Sequence, residues 1–256
     1  MRRTAVWLVA SALAPGAAAA CSMAPATDLP ATRIVSAPFE TTAWYGGATD
    51  IYPHGALGDG IEATFLTLAG PRTTAPCGAL TVAAGPGQVF EDDHPRLADL
   101  DGDGIAEVIA VRSSLTLGAQ LVVYRETPDA LVEIAATAPI GQPNRWLAPL
   151  GAADLDGDGR VEIAYVDRPH LARILRVLRL EGDRLIEVAA VSGVTNHRFG
   201  EPAISGGIRD CGTGPEIIVA SADWSRVLAV TLAGGTLSAR DLGPMGATLD
   251  AALDCR

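Results

Sequence analysis

The chain has 256 residues, of which 48% are hydrophobic and 5% aromatic, enough apolar side chain to build one good-sized domain or two small ones and too much for a disordered chain. The formal net charge of −11 and the lack of any dense Arg cluster argue against a phosphate-binding face, so a nucleic-acid partner is not expected.

In chain order, residues 1–20 have the parts of an export signal: Arg2 and Arg3, the apolar run "TAVWLVASALA", and the small residues "PGAAAA". No later apolar run approaches the ~18 residues a membrane span needs. The mature protein is therefore expected in the periplasm or outside the cell, with a flexible amino terminus over 21–32. Cys21 stands where a lipid-bearing Cys would stand, so anchorage through Cys21 is the alternative.

From residue 50 the chain is repetitive. "RLADLDGDGIAEVIAV" begins at Arg96 and "GAADLDGDGRVEIAYV" at Gly151, so Asp99 and Asp154 stand 55 residues apart. The likeness continues into "LVEIAA" and "LIEVAA". Each unit reads as strand, acidic loop and three further strands joined by turn residues. "LARILRVLRL" has Arg every third residue and reads as a helix in isolation, but its repeat partner "GAQLVVYRET" is a strand pattern. Weaker copies flank the two strong ones, giving units near 50–92, 93–145, 148–196 and 200–243, with a truncated unit at 247–256. Four strands in about 50 residues is the rhythm of a propeller blade. The expected fold is all-β: a single β-propeller over 33–256, of about five four-stranded blades or else four. A strand near 33–40 and another near 247–255 are expected to close the ring.

In the acidic loop, Asp99, Asp101 and Asp103 alternate at positions one, three and five, Gly104 allows the turn, and Glu107 returns at nine. Asp154, Asp156, Asp158 and Glu162 repeat the set. Position seven, Ile105 or Arg160, contributes only its backbone carbonyl. Such oxygen-rich loops suit Ca²⁺ better than Mg²⁺, which keeps more of its water. They are not EF-hands, because position twelve is Ala110 or Tyr165 and the flanks read as strands.

Repeats of "DLDGDG" followed two residues later by a strand that begins with Glu resemble the FG-GAP or VCBS repeats of integrin-α-like β-propellers, and the chain is similar to small exported bacterial proteins that carry VCBS repeats. The resemblance covers about residues 50–255 and implies a Ca²⁺ site in each of the two strong loops, with the eight carboxylates as ligands. It implies no ion in the flanking units, which keep only Asp59 and Glu62, or Asp210 and Glu216.

Catalytic signals are sparse. His54, His94, His170 and His197 are isolated in sequence, and there is no zinc spacing or serine elbow. Trp44, Tyr45, Trp146, His197 and Arg198 fall in connections where they would meet a glycan or protein ligand, or else pack between blades. Two functions remain: a non-enzymatic calcium-binding scaffold or binding module, monomeric, or a hydrolase or lyase acting in a central depression. Of the cysteines, Cys211 and Cys255 each follow an Asp at matching points of neighbouring units and are expected to pair. Cys77 is left to Cys21 or a downstream Cys, or all remain thiols.

Overall fold

A computed structural model describes residues 29–75 and 77–256. The export signal, the lipid-anchor position Cys21 and the first residues of the expected mature terminus lie outside the described residues.

The regular structure of the described residues is almost all antiparallel sheet. After a 3₁₀ turn at Pro30–Thr32, β1 (Ile34–Ser36), β2 (Thr41–Thr49), β3 (Glu62–Ala69) and β4 (Leu80–Ala83) form a first meander. A short bridging strand, β5 (Gln88–Phe90), touches β3 through Ala63 and Phe90. The second meander is β6 (Arg96–Ala98), β7 (Glu107–Ser114), β8 (Gly118–Glu126) and β9 (Leu131–Ala136); because β5 also pairs with β7, these two meanders make one nine-stranded sheet. The third is β10 (Leu147–Ala153), β11 (Glu162–Asp167), β12 (Ile174–Glu181) and β13 (Arg184–Ser192). In the fourth, β14 (Val194–Thr195) and β15 (Gly207–Asp210) share the edge of β16 (Pro215–Ser221), followed by β17 (Arg226–Ala233) and β18 (Thr236–Pro244). The arginine-spaced segment is thus strand β12.

Burial explains the sequence texture. The strand after each acidic loop is covered on both faces, so "EIAYVD" is buried throughout and reads as a continuous apolar run, whereas outermost β18 is largely exposed. Strands β1, β6, β10 and β15 lie side by side in chain order, as do β4, β9, β13 and β18. Successive meanders therefore face one another, and each interface is a core. Tyr45, Leu66 and Val108 fill the first, Ile109, Leu121 and Ile163 the second, and Val166, Val177 and Ile217 the third.

Both ends of the expected ring differ from the sequence reading. Residues 247–255 do not form a closing strand: Ala247–Leu253 is a helix, α1, packing Leu249, Ala252 and Leu253 against Ile218, Val227 and Ala229 of the last sheet. The apolar residues recur at helical spacing, and the helix covers the sheet face a further blade would have covered. At the other end only Ile34–Ser36 of the 33–40 segment is strand, and it pairs with β2 and not with the carboxyl-terminal segment. Cys211 and Cys255 are joined, with Cα atoms 5.6 Å apart, although Cys255 follows a helix and not an inner strand. Cys77 is not a free thiol. Among the described residues no helix is long and apolar enough to cross a membrane.

Candidate functional site

The acidic loops connect β6 to β7 and β10 to β11. In each, the first Asp folds the loop around itself. Asp99 accepts hydrogen bonds from the N–H groups of Gly102, Asp103 and Gly104 at 2.8–3.1 Å, and Asp154 accepts from Gly157 and Gly159 at 2.8 and 2.9 Å. Gly104 and Gly159 sit at φ 84° and 85°, which a side chain would strain. The returning Glu is buried and accepts from the loop: Leu100 N–H to Glu107, and Leu155 N–H to Glu162, both at 2.9 Å.

The turn brings together one carboxylate oxygen each from Asp99, Asp101 and Glu107, and likewise from Asp154, Asp156 and Glu162, all within 4.8 Å of one another. Asp103 and Asp158 are not in these trios. Their carboxylates accept the N–H of Ile105 and Arg160, and Asp103 also pairs with Arg72 at 2.6 Å. Against slight desolvation, the Arg72 bond holds Asp103 below the usual carboxylate range. The Arg160 N–H does the same for Asp158. The side chain of Arg160 turns to Asp158 and Glu181.

A cation is already built into each loop. Arg125, on β8, donates to Glu107 at 2.9 Å and to Asp101 at 2.5 Å; Arg179, at the matching place on β12, donates to Glu162 at 2.6 Å and to Asp156 and Asp158 at 3.2 Å. Burial pushes Glu107 and Glu162 up, opposed by these arginines and the backbone donors. The guanidinium relieves the mutual repulsion of the carboxylates. In the fourth unit Asp210 caps Gly212 and Gly214, and Glu216 pairs with Arg209 and Arg240. In the first, Asp59 accepts from Ile61, and Glu62 is buried in the wall of a separate cavity.

At the opposite ends of the strands, the loops assemble what the sequence reading treated as isolated. His54, Asn144, Arg145, Trp146, Arg168, His170, Leu171 and Phe199 line a cavity of about 190 Å³. His54 Nδ1 lies 2.5 Å from Oε1 of fully buried Glu91, whose other oxygen accepts from Ser113 Oγ. The indole N–H of Trp146 donates to the Glu91 carbonyl at 2.7 Å. His170 Nε2 lies 3.0 Å from His197 Nδ1, and His197 Nε2 lies 2.8 Å from the Glu201 carbonyl. Burial, aided by His197, lowers His170 to about 4, and burial also lowers His197. Three of the four histidines therefore converge here, from loops too far apart in sequence to leave a spacing signal.

Of the other connection residues, Arg198 stacks on Trp224 at 4.1 Å and pairs with Glu201, Trp44 lies under Arg33 at 4.0 Å, and Tyr45 is a core residue bonded to Asp92. The depression between the inner strands is lined by apolar residues with Arg96 and one imidazole, His94, which is paired with Asp93 at 3.0 Å.

No curated protein matches the chain at a significant level. Residues 92–165, which contain both acidic loops and make up less than a third of the chain, match the model of the FG-GAP-like repeat, and this identifies the segment as a repeat of that family.

Proposed function

We propose that the protein is an exported β-propeller-like binding or scaffold module, without enzymatic activity in its acidic loops, whose two strong repeats hold Ca²⁺. The observation that carries this reading is the same three-carboxylate geometry in two consecutive units, Asp99, Asp101 and Glu107 in one and Asp154, Asp156 and Glu162 in the other. The donor set fits a hard cation: carboxylate oxygens only, one of them buried in each loop, on a turn fixed by its own backbone bonds. Asp103 and Asp158 would shape the loop from outside the trio. Bound Ca²⁺ would supply positive charge that ties a strand end to its loop.

Arg125 and Arg179 compete for the same oxygens, so affinity belongs in the weak range of extracellular modules, on the order of 10⁻⁴ to 10⁻³ M. The face-to-face meanders and the FG-GAP-like repeat support the propeller-like arrangement. Calorimetric titration tests the metal: two weak Ca²⁺ sites are expected, and one should vanish in each of Asp101→Asn and Asp156→Asn. No heat of binding at millimolar Ca²⁺ would refute the assignment.

A further inference from the structure

Nothing in the calcium reading uses the cavity at the other end of the strands. We propose that it is a binding site for a small hydroxylated carboxylate, of the kind an acidic sugar residue presents, with Arg145 taking the carboxylate and His54 and His170 accepting hydroxyl protons.

The hydrogen-bond chain from the Glu201 carbonyl orders two of the rings. The Glu201 carbonyl accepts only, so His197 Nε2 carries its proton and Nδ1 is the acceptor. His170 must then donate through Nε2, which leaves its Nδ1 with a lone pair. His54 meets Glu91 through Nδ1, which leaves Nε2 to meet a ligand. Two rings of the lining thus each keep one nitrogen without a hydrogen-bond partner among the described residues, and each suits a hydroxyl group.

Charge selects the rest of the ligand. Arg168 is held by Asp167, through Nε at 2.8 Å and Nη2 at 2.9 Å. Among the described residues Arg145 donates only to the Asn144 carbonyl, at 2.9 Å, and makes no ion pair. One guanidinium without a carboxylate partner balances a monoanion, which favours a carboxylate over a phosphate dianion. Phe199 and Leu171 stand 61% and 62% exposed at the rim and offer an apolar face for a sugar ring.

The site is also costly to keep. Asn144 and Arg168 line it at φ 53° and 47°, a conformation that non-glycine residues adopt at the expense of strain. Glu91 is fully buried, with its carboxyl group held between His54 and Ser113. Strain and buried charge gathered at one concavity are what a ligand site needs and ordinary loop packing does not.

The test is calorimetric titration of the protein with D-galacturonate, D-galactose and galactose 6-phosphate, with calcium chelated throughout so that failure of the calcium reading leaves it intact. Galacturonate should bind with a dissociation constant on the order of 1 mM, the range open to a ligand of its size. Galactose should bind at least about tenfold more weakly, the worth of a charged hydrogen bond. Arg145→Gln should abolish that preference, and His54→Gln should weaken both sugars, each with its melting temperature checked against the parent. Absence of galacturonate binding, tighter binding of the phosphate, or unchanged affinity in Arg145→Gln would each overturn the proposal.

Discussion

Replacing Arg179 with Gln removes a guanidinium that is 8% exposed from between Glu162, which is fully buried, and two part-exposed aspartates. Stripping one partner from a buried pair costs about 3–5 kcal/mol, because the remaining charge stays desolvated. The loop donor Leu155 N–H stays in place, so the lower end, about 3 kcal/mol, is the expected loss without metal. For a domain of this size that is a fall of roughly 6–12 °C in melting temperature. Calcium should reverse it. With the guanidinium gone, the ion has the trio to itself, and at roughly one hundred times its dissociation constant it contributes about 2.7 kcal/mol. The assay is thermal unfolding of parent and variant, each in chelator and in excess Ca²⁺. The variant should be much less stable in chelator and nearly equal to the parent in calcium. A variant equally destabilised in both would show that arginine and metal do not share the site. Arg125→Gln provides the graded control: its side chain is 32% exposed, solvent screens the pair, and the loss should be about 1 kcal/mol.

Removing the disulfide by Cys211→Ser with Cys255→Ser frees a closure of sequence separation 44, which the chain-entropy account values at about 4 kcal/mol; an unchanged midpoint in denaturant would contradict it. Burial raises Glu62 from 4.5 to about 9, with Glu91 and Asp59 adding to the effect, so the unfolded chain loses this proton near 4.5 while the folded chain keeps it. Stability from this group is therefore complete below about 4.5 and is lost as pH rises towards 9; Glu62→Gln should flatten that decline in unfolding measured at several pH values, and an equal slope in parent and variant would refute the assignment. His170, lowered to about 4 by burial, should keep a neutral imidazole in nuclear magnetic resonance titration down to pH 5, and a midpoint near 6.5 would break the proton assignment in the cavity.

The repeat made the strands legible because the same burial problem recurs: a strand covered on both faces must be apolar whichever unit it belongs to, and two aligned copies outweigh one ambiguous window. The acidic loops were legible for a local reason, since Asp99 and Asp154 bond to N–H groups within five residues. The carboxyl terminus misled because "ATLDAALDC" shares its first Ala and final Asp-Cys with "AISGGIRDC". The earlier segment has Gly206 at φ 89° and Gly207 in strand, whereas Ala and Leu in the later one favour a helix. Arg125 and Arg179 recur at matching places in the repeat, but each lies on a strand well past its loop, so the acidic pattern alone does not point to them. The histidine cavity gave no linear signal: His54, Glu91, Trp146, His170 and His197 come from separate connections and meet only when the meanders pack.

Because each core belongs to two neighbouring meanders, no meander can release its apolar face without exposing part of the next. The meanders form a short stack, in which the second and third are each packed between two neighbours. Helix α1 seals the far end through Leu249, Ala252 and Leu253 and is bound to its sheet by the Cys211–Cys255 bridge. Amide hydrogen exchange should accordingly be slowest in β7 and β11 and quicken towards α1, and once the bridge is cut the helix should be the first segment to fray, opening the stack from its carboxyl-terminal end.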